Sequence, residues 1–386
     1  MTKRIMLVAG EPSGDALAGP LMAALTDQLG ADITFVGVGG EAMTAQGLDS
    51  LFAMSDLSVM GLAEVLPRIP LIRRRLSETV DLALKVRPDA LVTIDAPGFN
   101  FRLARRLAGQ GIPLIHYVAP TVWSWRPGRA REIAVFLDHL LAVLPFEPPY
   151  FEVEGLPCTF VGHTAVSVPP GDGPAFRQAH GIDPKTTVLG LLPGSRGGEV
   201  ARHGPIFAAV ADRLSAQIDD LHIVCPTVPH VRGAVQAALS DLRAPLTLVG
   251  SDQKSAAFAA MNGALAASGT VTLELSLAAV PTVAAYRMNP LTMAIIRRLA
   301  KAKAISLTNL ILEQDIIPEF IQNQCSPEHL TPAVEKVLRD ASARERQIQA
   351  SPAVAEALGV LGEPPAARAA RVVLEVMNAG PRRRQS

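Results

Sequence analysis

Residues 186–200 read TTVLGLLPGSRGGEV, a continuous apolar run that enters a Gly-rich turn and then a stretch with helical spacing. A strand written without apolar-polar alternation has both faces covered, so this is one strand-turn-helix unit of a buried parallel sheet. The unit recurs. Upstream, short apolar runs bounded by Gly or Pro fall at residues 5–9, 33–38, 90–94, 114–118, 140–144 and 159–161, with amphipathic helical patterns between them. Downstream, runs at residues 221–225, 246–249, 264–267 and 282–285 continue the alternation. The two series are separated by HTAVSVPPGDGPAF, which begins at His163 and has the Pro/Gly content of a linker.

These series predict an α/β chain of two Rossmann-like doubly wound domains, residues 1–165 and 166–350, followed by a helical tail over residues 351–386. The tail has helical patterns at residues 353–358 and 366–377 and closes on PRRRQS, read as a solvated basic stub. Two such domains predict an interdomain cleft at the carboxyl ends of the strands, where open α/β folds bind ligands. A length of 386 residues suits two cores, and 49% hydrophobic residues with only 4% aromatics means cores of Ala, Val, Leu and Ile.

Lys plus Arg and Asp plus Glu number 36 each, so no global field draws nucleic acid to the chain, and any anion site must be local. Cys158, Cys225 and Cys325 are odd in number, far apart and without metal-ligand spacing. They predict neither a disulfide framework nor a zinc site, which fits a reducing cytosol. The opening MTKRIMLVAGEPSG ends its apolar stretch too soon for a signal peptide and reads as a first buried strand. The charge-free segment 255–273 is mostly Ala, Gly, Ser and Thr, so no transmembrane helix is expected.

In GSRGGEV, Gly194 permits close backbone approach, Ser195 and the helix start offer N–H donors, and Arg196 adds a bidentate fork, a combination suited to a diphosphate. The plainer reading is a Gly turn with a solvated arginine. ASGTVTLE repeats the arrangement: Ser268, Gly269 and Thr270 end a strand and start a helix. Glu274, one turn further on, either accepts both hydroxyls of a ribose or forms a capping box with Thr270.

In the first domain GEPSGD, with Ser13 and Asp15, is the first strand-to-helix turn and has neither P-loop nor dinucleotide spacing. GVGGEA satisfies GxGxxA but follows the second strand, so no nicotinamide cofactor is expected. VTIDAPGFN places Asp95 just past a strand, on the functional edge of the sheet, as a general base or as the cap of the next helix. HYVAPTVWSWRPGR gathers His116, Trp123, Trp125, Arg126 and Arg129; the indoles suit sugar rings and acyl chains or core packing, and the arginines suit a phosphate.

GEPSGD, VMGLAEVLP, IDAPGFN, HYVAPTVWSW, LPFE, VGHT, LLPGSRGGEV, ASGTVTLE and YRMNP occur in the order seen in lipid-A-disaccharide synthases, so the chain resembles that family from about Val8 to Asn309. The resemblance implies a GT-B glycosyltransferase without metal or other cofactor. It implies transfer of a 2,3-diacylglucosamine unit from UDP to 2,3-diacylglucosamine 1-phosphate, giving a β-1′,6 disaccharide with inversion. It also implies Asp95 as base, with Gly194, Ser195, Arg196, Ser268, Gly269, Thr270, Glu274 and Asn309 on the UDP side. Ser13, Asp15, Trp123, Trp125 and Arg126 are then expected on the acceptor or acyl-chain side. Gly98 stands where the family often has Asp, and Thr308 replaces a common Pro. A UDP-sugar 2-epimerase would share the layout but needs no acceptor. A homodimer is a further expectation from the resemblance.

An enzyme that joins acylated sugars must meet them at a bilayer, here the cytoplasmic face of the inner membrane, because exposing acyl chains costs ~0.8 kcal/mol per CH₂. The segment VMGLAEVLPRIPLIRRRL interleaves Met60, Leu62, Leu66 and Ile69 with Arg73, Arg74 and Arg75, and is the expected contact. Pro67 and Pro70 are expected to interrupt any single helix, and the competing reading is a core-facing helix with a basic edge.

Overall fold

The computed structural model describes residues 2–57, 62–123, 128–288 and 304–382, with the side chains of residues 62–66 left aside. The chain forms two compact units, Met1–Thr164 with Leu358–Ser386, and Ala165–Ala357. The first holds β1 (Lys3–Ala9), β2 (Ile33–Val38), β3 (Ala90–Ile94), β4 (Leu114–Tyr117), β5 (His139–Ala142) and β6 (Cys158–Phe160). All pair in parallel in the order β2-β1-β3-β4-β5-β6. The second holds β7 (Thr187–Leu192), β8 (Leu221–Pro226), β9 (Leu246–Val249), β10 (Gly263–Ala267), β11 (Thr282–Tyr286) and β12 (Glu319–Ile321). They pair in parallel in the order β12-β11-β10-β7-β8-β9.

Both sheets reverse direction once. In the first the reversal lies between β1 and β3, where Ala9 pairs with Ile94; in the second it lies between β7 and β10, where Leu192 pairs with Ala266. Chains leave such neighbouring strands to opposite faces, which opens a crevice at their carboxyl ends. GEPSGD and DAPGFN therefore flank one crevice, and GSRGG and SGT flank the other.

Alternation along β1 divides the first core: Met6 and Val8 face Leu91, Phe99 and Leu140, while Ile5, Leu7 and Ala9 face Val92 and Ile94 on the other side. That second face is closed by the helix Pro12–Leu29 and by the helix Pro365–Ala379 through Ala370, Val373 and Met377. In the second unit Leu189, Leu191 and Leu265 meet the helix Gly197–Ser215 through Phe207, Val210 and Leu214.

The expected runs each became a strand; β12 was not anticipated, being three half-buried residues with no apolar run. The tail differs from expectation. Residues from 351 are not one appendage: the helix Ala341–Ala357 belongs to the second unit, where Gln347 hydrogen-bonds both backbone groups of Thr282, while residues beyond belong to the first. Nor is Arg382 of the final basic stub simply solvated, since its N–H donates to Asp138 and its guanidinium to the Gly155 carbonyl. Pro67 and Pro70 do not interrupt the helix either, which runs unbroken over Leu62–Val86. Both lie past the first turn, so each forgoes a helical N–H bond that the later turns, packed through Ile72 and Leu76, must offset. Among the described residues no helix is long and apolar enough to cross a membrane.

Candidate active site

In the second unit a cavity of about 390 Å³ lies over the crevice between β7 and β10. Its walls include Gly194, Ser195 and Arg196 from the first turn and Ser268, Gly269, Thr270 and Glu274 from the second. Arg196 is the N-cap of the helix Gly197–Ser215, and Gly269 that of the helix Thr270–Leu277. Two helix N-termini thus open on one cavity, each with first-turn N–H groups that have no partner within the helix.

Gly194 has φ +128°, and a Cβ there would fall 2.5 Å from Glu199 Cβ, so only Gly lets the turn close over that carboxylate. Glu199 accepts the Ser195 N–H at 3.1 Å and pairs with Arg196 at 3.3 Å. The turn is also held from below: His203 donates from Nδ1 to the Pro193 carbonyl and accepts the Arg287 N–H on Nε2. Those two bonds fix a neutral imidazole, and burial lowers its pKa. Across the cavity Glu274 is paired with Lys254 at 2.7 Å, so the capping box with Thr270 does not form. Four ionisable residues line the cavity: Arg196, Lys254, Glu199 and Glu274.

In the first unit Asp95 and Ala96 follow β3 with φ +51° and +42°, a strained pair costing roughly 1–3 kcal/mol each. The surroundings hold it. Ser13 donates to Asp95 Oδ2 at 3.0 Å, the Asp95 N–H donates to the Tyr117 carbonyl, and buried Asn100 donates to the carbonyls of Ile94 and Asp95. GEPSGD is shaped to receive this bend: a Cβ on Gly10 would lie 2.6 Å from Ala96 Cβ, and one on Gly14 3.1 Å from the Ile94 carbonyl. Such strain concentrates where a side chain must be aimed.

A family model described as lipid-A-disaccharide synthetase matches residues 5–364. Lipid-A-disaccharide synthase of Rhodospirillum centenum is 52% identical over 378 residues, 97% of this chain and 94% of that one. The enzyme of the same name from Paramagnetospirillum magneticum is 45% identical over 386 residues, 98% and 99% of the two. The chain belongs to the lipid-A-disaccharide synthase family. It is therefore a glycosyltransferase of lipid A biosynthesis. Among solved structures it resembles CalG4, the calicheamicin glycosyltransferase, with TM-score 0.57 at 18% identity, covering 98% of each chain. It also resembles the UDP-GlcNAc 2-epimerase of Neisseria meningitidis bound to UDP-GlcNAc, with TM-score 0.57 at 14% identity, covering 97% of this chain and 100% of that one. At such identities the likeness describes the GT-B fold alone.

Several residues that the lipid-A-disaccharide synthase resemblance assigned to the site are also engaged by the fold. Asn309 does not line the cavity: its amide donates to Ile317 and Glu319 and accepts the N–H groups of Ile316 and Ile317, so it clamps a loop. Ser268 lines the cavity, but its hydroxyl proton goes to the Ile305 carbonyl, leaving it only an acceptor there. Asp15 is buried and takes the N–H groups of Gly40, Ala42 and Met43, capping the short helix Glu41–Thr44. Thr308 sits buried with its hydroxyl 2.8 Å from Ser276, so the family's Pro is replaced without a gap. Gly98 is exposed with open space at its Cβ.

Trp123 is half-buried edge-to-face on Phe146, its indole N–H 3.4 Å from Glu147, which is the packing alternative. Trp125, Arg126 and Met60 lie outside the described residues, as do the side chains of Leu62 and Leu66. Of the basic run, Arg75 is engaged by Asp56 and Glu78 and stacks over Phe52, whereas Arg68, Arg73 and Arg74 are exposed, Arg74 with a surface ion pair to Glu78 at 3.5 Å. Ile69 is half-buried, and Leu76 enters the core. Sequence reasoning did not single out Lys254, Thr227 or Glu199 as cavity residues. Glu199 was within reach, lying inside the quoted turn motif, and Thr227 directly follows β8.

Glu147 of LPFE is a buried carboxyl that burial lifts to about 7, against weaker downward pulls from the Leu144 N–H and Trp123. The folded state thus holds a proton that the unfolded chain releases near the ordinary 4.5. Its stabilising effect is complete below about pH 4.5 and is lost as pH rises through 7, a change on the order of 3 kcal/mol. The Glu147→Gln variant should therefore gain on the parent by several degrees in Tm between pH 5 and pH 8. A difference that stays flat across that range would refute the buried neutral carboxyl.

Proposed function

We propose that the chain condenses UDP-2,3-diacylglucosamine with 2,3-diacylglucosamine 1-phosphate to give the β-1′,6 disaccharide and UDP. The observation that carries this reading is the cavity of about 390 Å³ in the second unit, with two helix N-termini and Arg196 on its walls. It is of ligand-site size, and its donors are of the kind that hold a diphosphate. Glu274 would take the ribose hydroxyls, and Lys254 adds positive charge as UDP departs. Asp95 would remove the proton of the acceptor's 6-hydroxyl. The oxygen then bonds to the anomeric carbon from the face opposite UDP, and the carbon–oxygen bond to UDP breaks with its electron pair leaving on the diphosphate, so the configuration inverts. Charge on that leaving group falls on Arg196 and the helix N-termini, so no metal is needed.

Incubating the purified protein with both acylated substrates should yield the disaccharide by mass spectrometry, in EDTA as well. UDP release without acceptor would instead favour an epimerase-like activity.

Acylated substrates of this kind would bring the enzyme to the cytoplasmic face of the inner membrane. The exposed edge of the helix Leu62–Val86 is the proposed contact, through Arg68, Arg73 and Arg74 beside Ile69. Each arginine near anionic headgroups contributes about 1 kcal/mol, weakening as salt rises. Replacing these three by Glu should reduce co-sedimentation with anionic liposomes about tenfold or more with little change in Tm. Arg75→Glu should instead destabilise the first unit, because Asp56 and Glu78 would face a third carboxylate. Unchanged liposome binding in the folded triple variant would move the contact elsewhere.

A further inference from the structure

Thr227 is the first residue beyond β8, on the cavity wall between Pro226 and Val228. It is only 8% exposed, and its hydroxyl has no hydrogen-bonding partner among the described residues. Its backbone is fixed, because its N–H donates to the Val249 carbonyl. The loop is also tied to the turn at Gly194–Arg196: His230, three residues on, donates to the Ser195 carbonyl at 2.8 Å. Buried hydroxyls are nearly always paired, since an unpaired one costs stability that Val, of the same shape, would not. A threonine kept unpaired in the wall of a cavity is therefore explained by something that enters the cavity.

The charged walls restrict what that is. Phosphates belong at the two helix N-termini with Arg196, and the ribose belongs at Glu274. The remaining wall is mostly apolar, with Leu192, Pro226, Val228 and Val271, and of its two hydroxyls, Thr227 and Ser251, only that of Thr227 is buried without a partner. That composition suits the face of a planar base with one polar edge. A turn about χ1 exchanges the hydroxyl with the methyl or hydrogen, so it can swing to the cavity when a base fills it.

We propose that Thr227 is a specificity-determining residue whose hydroxyl hydrogen-bonds the uracil base of the donor. This rests on the reading of the cavity as the UDP site. The hydroxyl can donate to a base carbonyl or accept from the ring N–H, so it supplies one base contact.

Titration calorimetry with UDP, and with UMP in place of UDP, tests this. Thr227→Val should weaken both ligands by the same factor, roughly threefold to tenfold, the worth of one net hydrogen bond. Its Tm without ligand should equal or exceed that of the parent, which separates the effect from misfolding. Thr227→Ser, which keeps the hydroxyl, should restore most of the affinity. Arg196→Ala provides the contrast, weakening UDP more than UMP because its partner is the diphosphate. If Thr227→Val binds both ligands like the parent, the proposal is overturned. If the parent itself binds no UDP, the reading of the cavity fails instead.

Discussion

Asp95→Asn is expected to lower turnover at least ~10²-fold while leaving UDP affinity unchanged. Asn preserves everything about this position except the ability to take a proton. Its side-chain oxygen can still accept the Ser13 hydroxyl, which bonds Asp95 at 3.0 Å. Asn also tolerates the left-handed conformation that Asp95 holds at φ +51° better than most residues do, so the bend after β3 should survive. A loss of turnover with an unchanged Tm would thus isolate the chemistry. Steady-state rates with both acylated substrates measure it, and near-normal turnover in the folded variant would exclude Asp95 as the base.

Arg196→Ala should cost about 10- to 100-fold in kcat/KM for the donor, the range for losing charge-assisted hydrogen bonds to a phosphate. Part of that cost comes from a neighbour. Glu199 lines the same cavity and is paired with Arg196 at 3.3 Å, so removing the arginine leaves a carboxylate facing the diphosphate. Glu199→Gln added to Arg196→Ala should therefore recover several-fold, while its amide oxygen can still accept the Ser195 N–H. The Arg196 side chain is 65% exposed, free to move onto a ligand without breaking a buried network. Equal donor kinetics in parent and Arg196→Ala would remove the arginine from the site.

The strands were legible because a covered parallel strand must be an apolar run closed by Gly or Pro, and the site turns were legible because they follow such runs. What stayed hidden depends on backbone brought from far away. Asp15 looks like a free carboxylate in GEPSGD, yet its partners are N–H groups 25 to 28 residues on. Asn309 resembles a nucleotide ligand in the family pattern, but folding returns the chain at Ile316 and Ile317 to use both ends of its amide. Lys254 begins a seven-residue helix of small residues and meets Glu274 only because β10 carries the chain back beside it. The helix through Pro67 and Pro70 shows local propensity overruled where packing of Ile72 and Leu76 holds the later turns.

The helix Pro365–Ala379 closes the core around β1, whose first residues leave the ribosome hundreds of codons earlier. The second unit is complete once residue 357 has emerged, whereas the first must wait for the residues that follow. Synthesis therefore inverts the usual order, in which the amino-terminal domain folds first. Until residues 365–379 emerge, the face of β1 and β3 carrying Ile5, Leu7 and Ile94 lacks its cover of Ala370 and Val373, a period in which the nascent chain presents an open apolar sheet. A premature stop before Pro365 would leave the second unit intact and strike the unit that holds Asp95, some 270 residues upstream of the lesion.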